Sequence, residues 1–131
     1  MTTGERSAEL AVLWIEAWKR MDTVWLQQRL APDFVHVSPF GRFEDRATYL
    51  AAVEPMARKS VVELKIKDVI ASGNRAAVWF ENRTPKGVVE SCDWLRIEND
   101  QIKEIRSFYD SAVIRAVLSP AEQERLDGSH Y

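Results

Sequence analysis

The chain has 131 residues, 46% of them apolar and 29% charged, which fits one globular domain and is too short for two. Eighteen basic residues against twenty acidic ones leave a formal charge of -2, so no basic surface is on hand to neutralise a phosphate backbone and nucleic acid is excluded as a partner. A single cysteine, Cys92, and two histidines rule out an intrachain disulfide and the usual zinc-finger spacings, and no apolar run approaches the ~20 residues of a bilayer span. The sequence therefore reads as a cytoplasmic protein without membrane segment, metal or cofactor.

Leu10, Leu13, Trp14, Ala17, Trp18 and Met21 recur at the spacing of one helix face, which predicts an amphipathic helix from about Thr3 or Ser7 to Met21. Asp22 caps a second helix, Thr23 to Leu30, stopped by Pro32, whose ring and missing donor prevent continuation. Phe34 to Ser38 alternates as a short strand and Pro39-Phe40-Gly41 supplies a turn. Asp45 then caps a third helix carrying Tyr49, Leu50, Val53 and Met56 on one side, with Pro55 in its last turns.

From Ser60 the period changes to two: Val62, Leu64 and Ile66 alternate with charged neighbours, Gly73-Asn74 turns, and Ala76 to Thr84 follows. Pro85-Lys86-Gly87 turns again, and Val88 to Ile97 and Gln101 to Asp110 complete four long strands. Strands joined by hairpin-length loops predict an antiparallel meander. The layout is α+β, one domain over residues 1–118, with three helices on one face of a curved antiparallel sheet and a polar, partly disordered tail over 119–131.

Along the strands, Val78, Phe80 and Asn82 face inward with Ser91, Asp93, Leu95 and Ile97, which leaves Trp79, Trp94 and Phe108 on the outer face, with Arg83 and Arg96 toward its edge. Three large aromatics on the face that the helices do not cover predict a homodimer through the outer sheet surface.

The order of elements, with the runs Ala31-Pro32-Asp33-Phe34-Val35, Val89-Glu90-Ser91-Cys92-Asp93 and Ile105-Arg106-Ser107-Phe108-Tyr109-Asp110, resembles the nuclear transport factor 2-like superfamily and its SnoaL-like branch over about Ser7 to Val117. The resemblance implies a cone-shaped, cystatin-like α+β barrel with a pocket between the concave sheet and the helices, often paired through the outer sheet face. It implies ketosteroid isomerisation, scytalone dehydration, limonene epoxide hydrolysis, polyketide cyclisation or non-catalytic binding as possible activities. Site residues carry over in part. The isomerase general-base aspartate falls on Ser38 and its oxyanion-hole tyrosine on Trp14, whereas the protonated aspartate of that hole is retained as Asp93. Of the epoxide hydrolase set, the Arg-x-Asp pair falls on Ser91 and Asp93, and the aspartate of the last strand falls on Ser107. Neither set is complete.

Chemistry alone singles out the inward polar residues His36, Ser38, Asn82, Ser91, Asp93, Ser107 and Tyr109, walled by Trp14, Trp18, Tyr49, Met56, Phe80 and Leu95. A carboxylate at a strand centre against Trp and Leu is expected to hold its proton more tightly than usual unless an ion pair with Arg96, Arg106 or His36 satisfies it. The expectation is a small, largely apolar oxygenated ligand processed by proton transfer, Asp93 donating to its oxygen, His36 moving the proton, and Ser38, Asn82 and Tyr109 orienting. The alternative is a protein that only binds such a molecule.

Overall fold

A computed structural model describes residues 1–127. The order is α1 (Thr3–Arg20), α2 (Thr23–Arg29), β1 (Leu30–Ser38), β2 (Gly41–Glu44), α3 (Arg46–Ser60), β3 (Glu63–Ser72), β4 (Arg75–Thr84), β5 (Gly87–Glu98), β6 (Gln101–Tyr109), α4 (Ala112–Val117) and α5 (Pro120–Asp127). The strands form one curved, unclosed sheet in the order β2-β1-β6-β5-β4-β3. Among the described residues, no helix is long and apolar enough to cross a membrane, and no three His, Cys, Asp or Glu are grouped to hold a metal ion.

The helix ends follow their capping residues. Thr2 accepts from the Glu5 amide, Asp22 from the Trp25 amide and Asp45 from the Thr48 amide, each satisfying a first-turn donor that has no partner in its own helix. Met21 closes α1 in the left-handed region at φ 52°. The β3–β4 hairpin turns at Gly73, φ +57°, where a side chain would be strained, and its carbonyl accepts from the Ser7 hydroxyl at 2.7 Å, tying α1 to the hairpin. α1 lies on β3 and β4 and α3 on β1 and β2. Between helices and sheet, Leu10, Ala11, Leu26, Leu30, Phe34, Val78, Leu95, Ile102 and Ile105 are wholly shielded from solvent, the larger of them each contributing roughly 1.5–3 kcal/mol by burial.

Three expectations need correction. The sheet is mixed, because β1 pairs parallel with β6. A tight turn forces neighbouring strands to be antiparallel, and the β3-to-β6 meander obeys this. No tight turn joins β1 to β6, so helix α3 and the meander between them set their relative direction. The first strand starts at Leu30, not at the expected Phe34, so Pro32 stands within it. It lies inside β1, where the register with β6 shifts between Leu30 and Val35, a place where a missing N–H costs no ladder bond. Finally, the stretch read as a polar tail forms α5 as far as Asp127. Leu118 and Leu126 are buried, and Lys59 of α3 reaches Glu122 at 2.5 Å. A single leucine, Leu126, in a polar run was too sparse to show a helical period. Residues 128–131 of that tail lie outside the described residues.

Candidate active site

The alternation of β4 and β5 places Phe80, Asn82, Ser91 and Asp93 on the concave side, opposite the α1 face that carries Trp14 and Trp18. Between them is a cavity of about 110 Å³. Its lining includes Trp14, Trp18, His36, Tyr49, Met56, Phe80, Asn82, Ser91, Asp93, Ser107 and Tyr109. Two expected members are elsewhere. Ser38 lies at the far end of β1, outside the cavity, and its hydroxyl oxygen accepts from the Phe40 amide at 3.1 Å as part of the β1–β2 turn. Leu95 points inward but is wholly covered by core, since α1 closes over that end of the sheet. The sequence reading missed Ile15, Val53, Ala57, Ser60, Val61, Leu64 and Ile114, which also line the cavity. Leu64 stood in the alternation already noted, to which no face was assigned; Ile114 belongs to α4, for which the sequence carried no clear periodic signal.

Asp93 is 4% exposed. The Trp14 indole N–H donates to its Oδ2 at 2.8 Å, while Oδ1 is buried with no hydrogen-bond partner. Burial raises the Asp93 pKa to about 6, opposed by the hydrogen bond from Trp14 and by Ser107, which faces Asp93 directly across the β5–β6 ladder. The arginines that would have made Asp93 a structural ion-pair residue are engaged elsewhere. Arg96 pairs with Glu98 at 2.5 Å and Glu104 at 3.5 Å, and Arg106 pairs with Glu104 at 2.7 Å, all on the opposite face.

His36 is 7% exposed, and its Nε2 is 2.9 Å from the Ser107 hydroxyl; its Nδ1 has no partner. Burial without an acidic partner lowers its pKa to about 3, so the imidazole is neutral at physiological pH. A group that sheds its proton near pH 3 is a poor carrier at pH 7, whereas a carboxyl near 6 is well matched. Ser107 stands between the two groups. The Tyr49 ring packs 4.8 Å from His36 and 5.1 Å from Phe34, centroid to centroid, and its hydroxyl is pushed well above the usual phenol range by burial and by the nearby Asp93 charge. Trp14 and Trp18 meet edge to face at 6.0 Å. The site is thus one titratable carboxyl, one neutral imidazole and a few hydroxyl and amide groups in an aromatic box.

A curved, unclosed sheet of six strands wrapped on helices is the cone fold of the nuclear transport factor 2-like class. Residues 11–105 match the SnoaL-like domain family, and the chain belongs to it. No curated protein matches the sequence closely. Among solved structures, a putative ketosteroid isomerase from Kribbella flavida is similar at 20% identity and TM-score 0.73, over 86% of this chain and 83% of that one. A steroid delta-isomerase from Pseudomonas aeruginosa is similar at 18% and 0.72, over 92% and 90%. A Mycobacterium tuberculosis LEH-like epoxide hydrolase is similar at 16% and 0.72, over 88% and 90%. At these identities the likeness is one of fold.

Proposed function

We propose that this SnoaL-like protein binds a small, largely apolar oxygenated molecule in its concave cavity and catalyses proton transfer on it without a cofactor, as an isomerase, dehydratase or hydrolase. Asp93 takes up and returns the proton. The observation that carries the reading is the state of that carboxyl: buried, held by Trp14 on one oxygen, open to the cavity on the other, and shifted to about 6. His36 orients through Ser107 and does not carry the proton, and Asn82 and Tyr109 complete the polar lining. Isomerases and an epoxide hydrolase among the solved relatives fit this class of chemistry. A cavity of about 110 Å³ is nearer to the ~150 Å³ that holds one benzene than to the space a steroid needs, so the substrate is single-ring sized.

A second reading, a binding protein of the same fold, is favoured by one observation. Ser38, assigned an orienting role, is engaged in a turn outside the cavity, which leaves fewer groups to run a reaction. The protein also pairs, in this proposal, through its outer sheet face around Trp79, Trp94 and Phe108.

The test is the ¹³C titration of the Asp93 carboxyl in the full chain. A midpoint near 6 is expected; a midpoint near the ~3.9 of a free aspartate removes the catalytic reading and leaves the binding one.

A further inference from the structure

Asp93 shares its cavity with no ion. The titratable side chains that line it beside Asp93 are His36 from β1, Tyr49 from α3 and Tyr109 from β6, and among the described residues no lysine, arginine or second carboxylate joins them. Hydrogen bonds are then what offsets the burial of the charged carboxyl. Two groups supply them: the Trp14 indole, 2.8 Å from Oδ2, and the Ser107 hydroxyl. The indole N–H can only donate. A hydroxyl turns, so the direction of the Ser107 bond is set by its surroundings.

Two strand pairings decide those surroundings. Ser107 stands directly opposite Asp93 across the antiparallel β5–β6 ladder, with both residues on the cavity, and side chains paired in this way have Cβ atoms about 4.5–5.5 Å apart. On its other side β6 runs parallel to β1 with His36 opposite Ile105, and His36 Nε2 lies 2.9 Å from the Ser107 oxygen. One hydroxyl proton therefore has two acceptors in reach, an imidazole nitrogen and a carboxylate.

From this placement, and resting on the proton-transfer reading above, we infer that Ser107 is a positioning residue of the site, accepting from His36 Nε2–H and giving its own proton to the Asp93 carboxylate.

The charges decide between the two acceptors. Burial keeps His36 neutral, whereas the Asp93 carboxyl is mostly ionised near pH 7. A hydrogen bond to an ionised acceptor is about twice as strong as one between neutral groups, so the Ser107 proton goes to Asp93. The Ser107 oxygen is left to accept, and the His36 nitrogen beside it must donate, which fixes the single ring proton on Nε2. The other ring nitrogen, Nδ1, is buried with no partner. That suits a bare lone pair better than an N–H, since buried donors left without an acceptor are rarer than unmet acceptors. Phe34 and Tyr49 hold the ring in place, at 6.3 and 4.8 Å between centroids. Ring, hydroxyl and carboxylate thus form one directed chain from β1 through β6 to β5.

The chain favours the ionised carboxyl, which is the form that takes up a proton. With Trp14 and Ser107 both donating, a midpoint of about 6 leaves roughly nine-tenths of Asp93 ionised at pH 7. Loss of one such bond, carrying the midpoint to about 7, would leave roughly half.

The experiment is the ¹³C titration of the Asp93 carboxyl in the full chain, unmodified and as Ser107→Ala and Ser107→Thr. Alongside it, the ¹⁵N signals of the His36 ring are recorded at about pH 7.5 in His130→Gln, which carries no other histidine. Ser107→Ala is expected to move the midpoint from about 6 to about 7. Ser107→Thr, which keeps the hydroxyl, is expected to stay near 6, and the ring proton is expected on Nε2. A Ser107→Ala midpoint within about 0.3 of the unmodified one overturns the assignment and leaves the proton-transfer reading standing. A threonine variant shifted as far as the alanine one does the same, because packing and not the hydroxyl would then be responsible. A ring proton on Nδ1 also overturns it, since Ser107 would be giving its proton to His36; should Ser107→Ala fail to fold, this measurement decides alone. An unmodified midpoint near ~3.9 removes the inference together with the reading beneath it.

Discussion

The Trp14 indole N–H donates to Asp93 Oδ2 at 2.8 Å across 79 positions of sequence. Helix α1 and strand β5 meet there, and the bond sets which carboxylate oxygen is occupied and which one is left buried without a partner. Replacing Trp14 with Phe keeps an aromatic wall but removes the donor. A hydrogen bond to the charged form holds a carboxyl's pKa down, so the Asp93 titration in Trp14→Phe should move above about 6, and stability above that pH should fall by ~1–3 kcal/mol. A midpoint that stays put in a ¹³C titration would mean the bond is not made in solution.

Asp93 also limits stability. Its folded pKa of about 6 exceeds the 3.8 of the free group, so the folded state favours the protonated form. That preference stabilises fully below the unfolded value and is lost as pH rises from 3.8 to about 6. Two units correspond to roughly 3 kcal/mol. Asp93→Asn, uncharged at every pH and still able to accept from Trp14, should be more stable than the unmodified protein at about pH 8 and no more stable at about pH 4. Urea midpoints at the two pH values decide this, and a loss of stability at the higher one would contradict it.

His36 acts in the opposite direction. Its folded pKa, about 3, lies below the ordinary 6.5, so its contribution is whole above pH 6.5 and is lost as pH falls toward 3, because protonation would place an uncompensated charge in the core. His36→Gln, which cannot charge, should flatten the acid limb of the stability curve over that window. An acid limb as steep as before would assign acid unfolding to other groups.

Self-association is expected from the outer sheet face. Trp79 is 44% exposed and Phe108 60%; cross-strand pairing sets Trp79 beside Cys92 and Cys92 beside Phe108, with Trp94 on the neighbouring row. Aromatics of about 150–250 Å² each supply a large share of the ~800 Å² per partner of a standard interface. Trp79→Glu with Trp94→Glu should sediment as a monomer, because the change removes two indoles of apolar area and would require two carboxylates to lose their hydration on pairing. An unmodified protein that is monomeric at micromolar concentration sinks the proposal.

The helix after Ser119 should matter to the core. Leu126 is 3% exposed and Ile114, on the preceding helix, lines the cavity. Leu126→Ala should cost about 2–3 kcal/mol in chemical unfolding, within the range for buried leucines. A change below ~0.5 kcal/mol would show that α5 does not pack in solution.

Residue periodicity alone was sufficient for α1, α2, α3 and the four-strand meander, because a 3.6 or 2.0 repeat of apolar side chains is local and each element needs one buried face. The same alternation placed Asp93, Ser91, Asn82 and Phe80 on the concave side and Trp79 and Trp94 on the other. The direction of β1 relative to β6 was not legible, since no local turn joins them and pairing between strands so far apart in sequence is decided by packing. Nor was the fate of Ser38, whose hydroxyl answers to a turn amide two residues away instead of the cavity. The protonation of Asp93 and His36 was set by tertiary structure alone: whether a carboxyl holds its proton and an imidazole loses it depends on burial and on which partners arrive from distant segments. In this protein Trp14 arrives from the first helix and Ser107 from the last strand, while Arg96 and Arg106, which could have neutralised Asp93, are turned to the outside of the sheet.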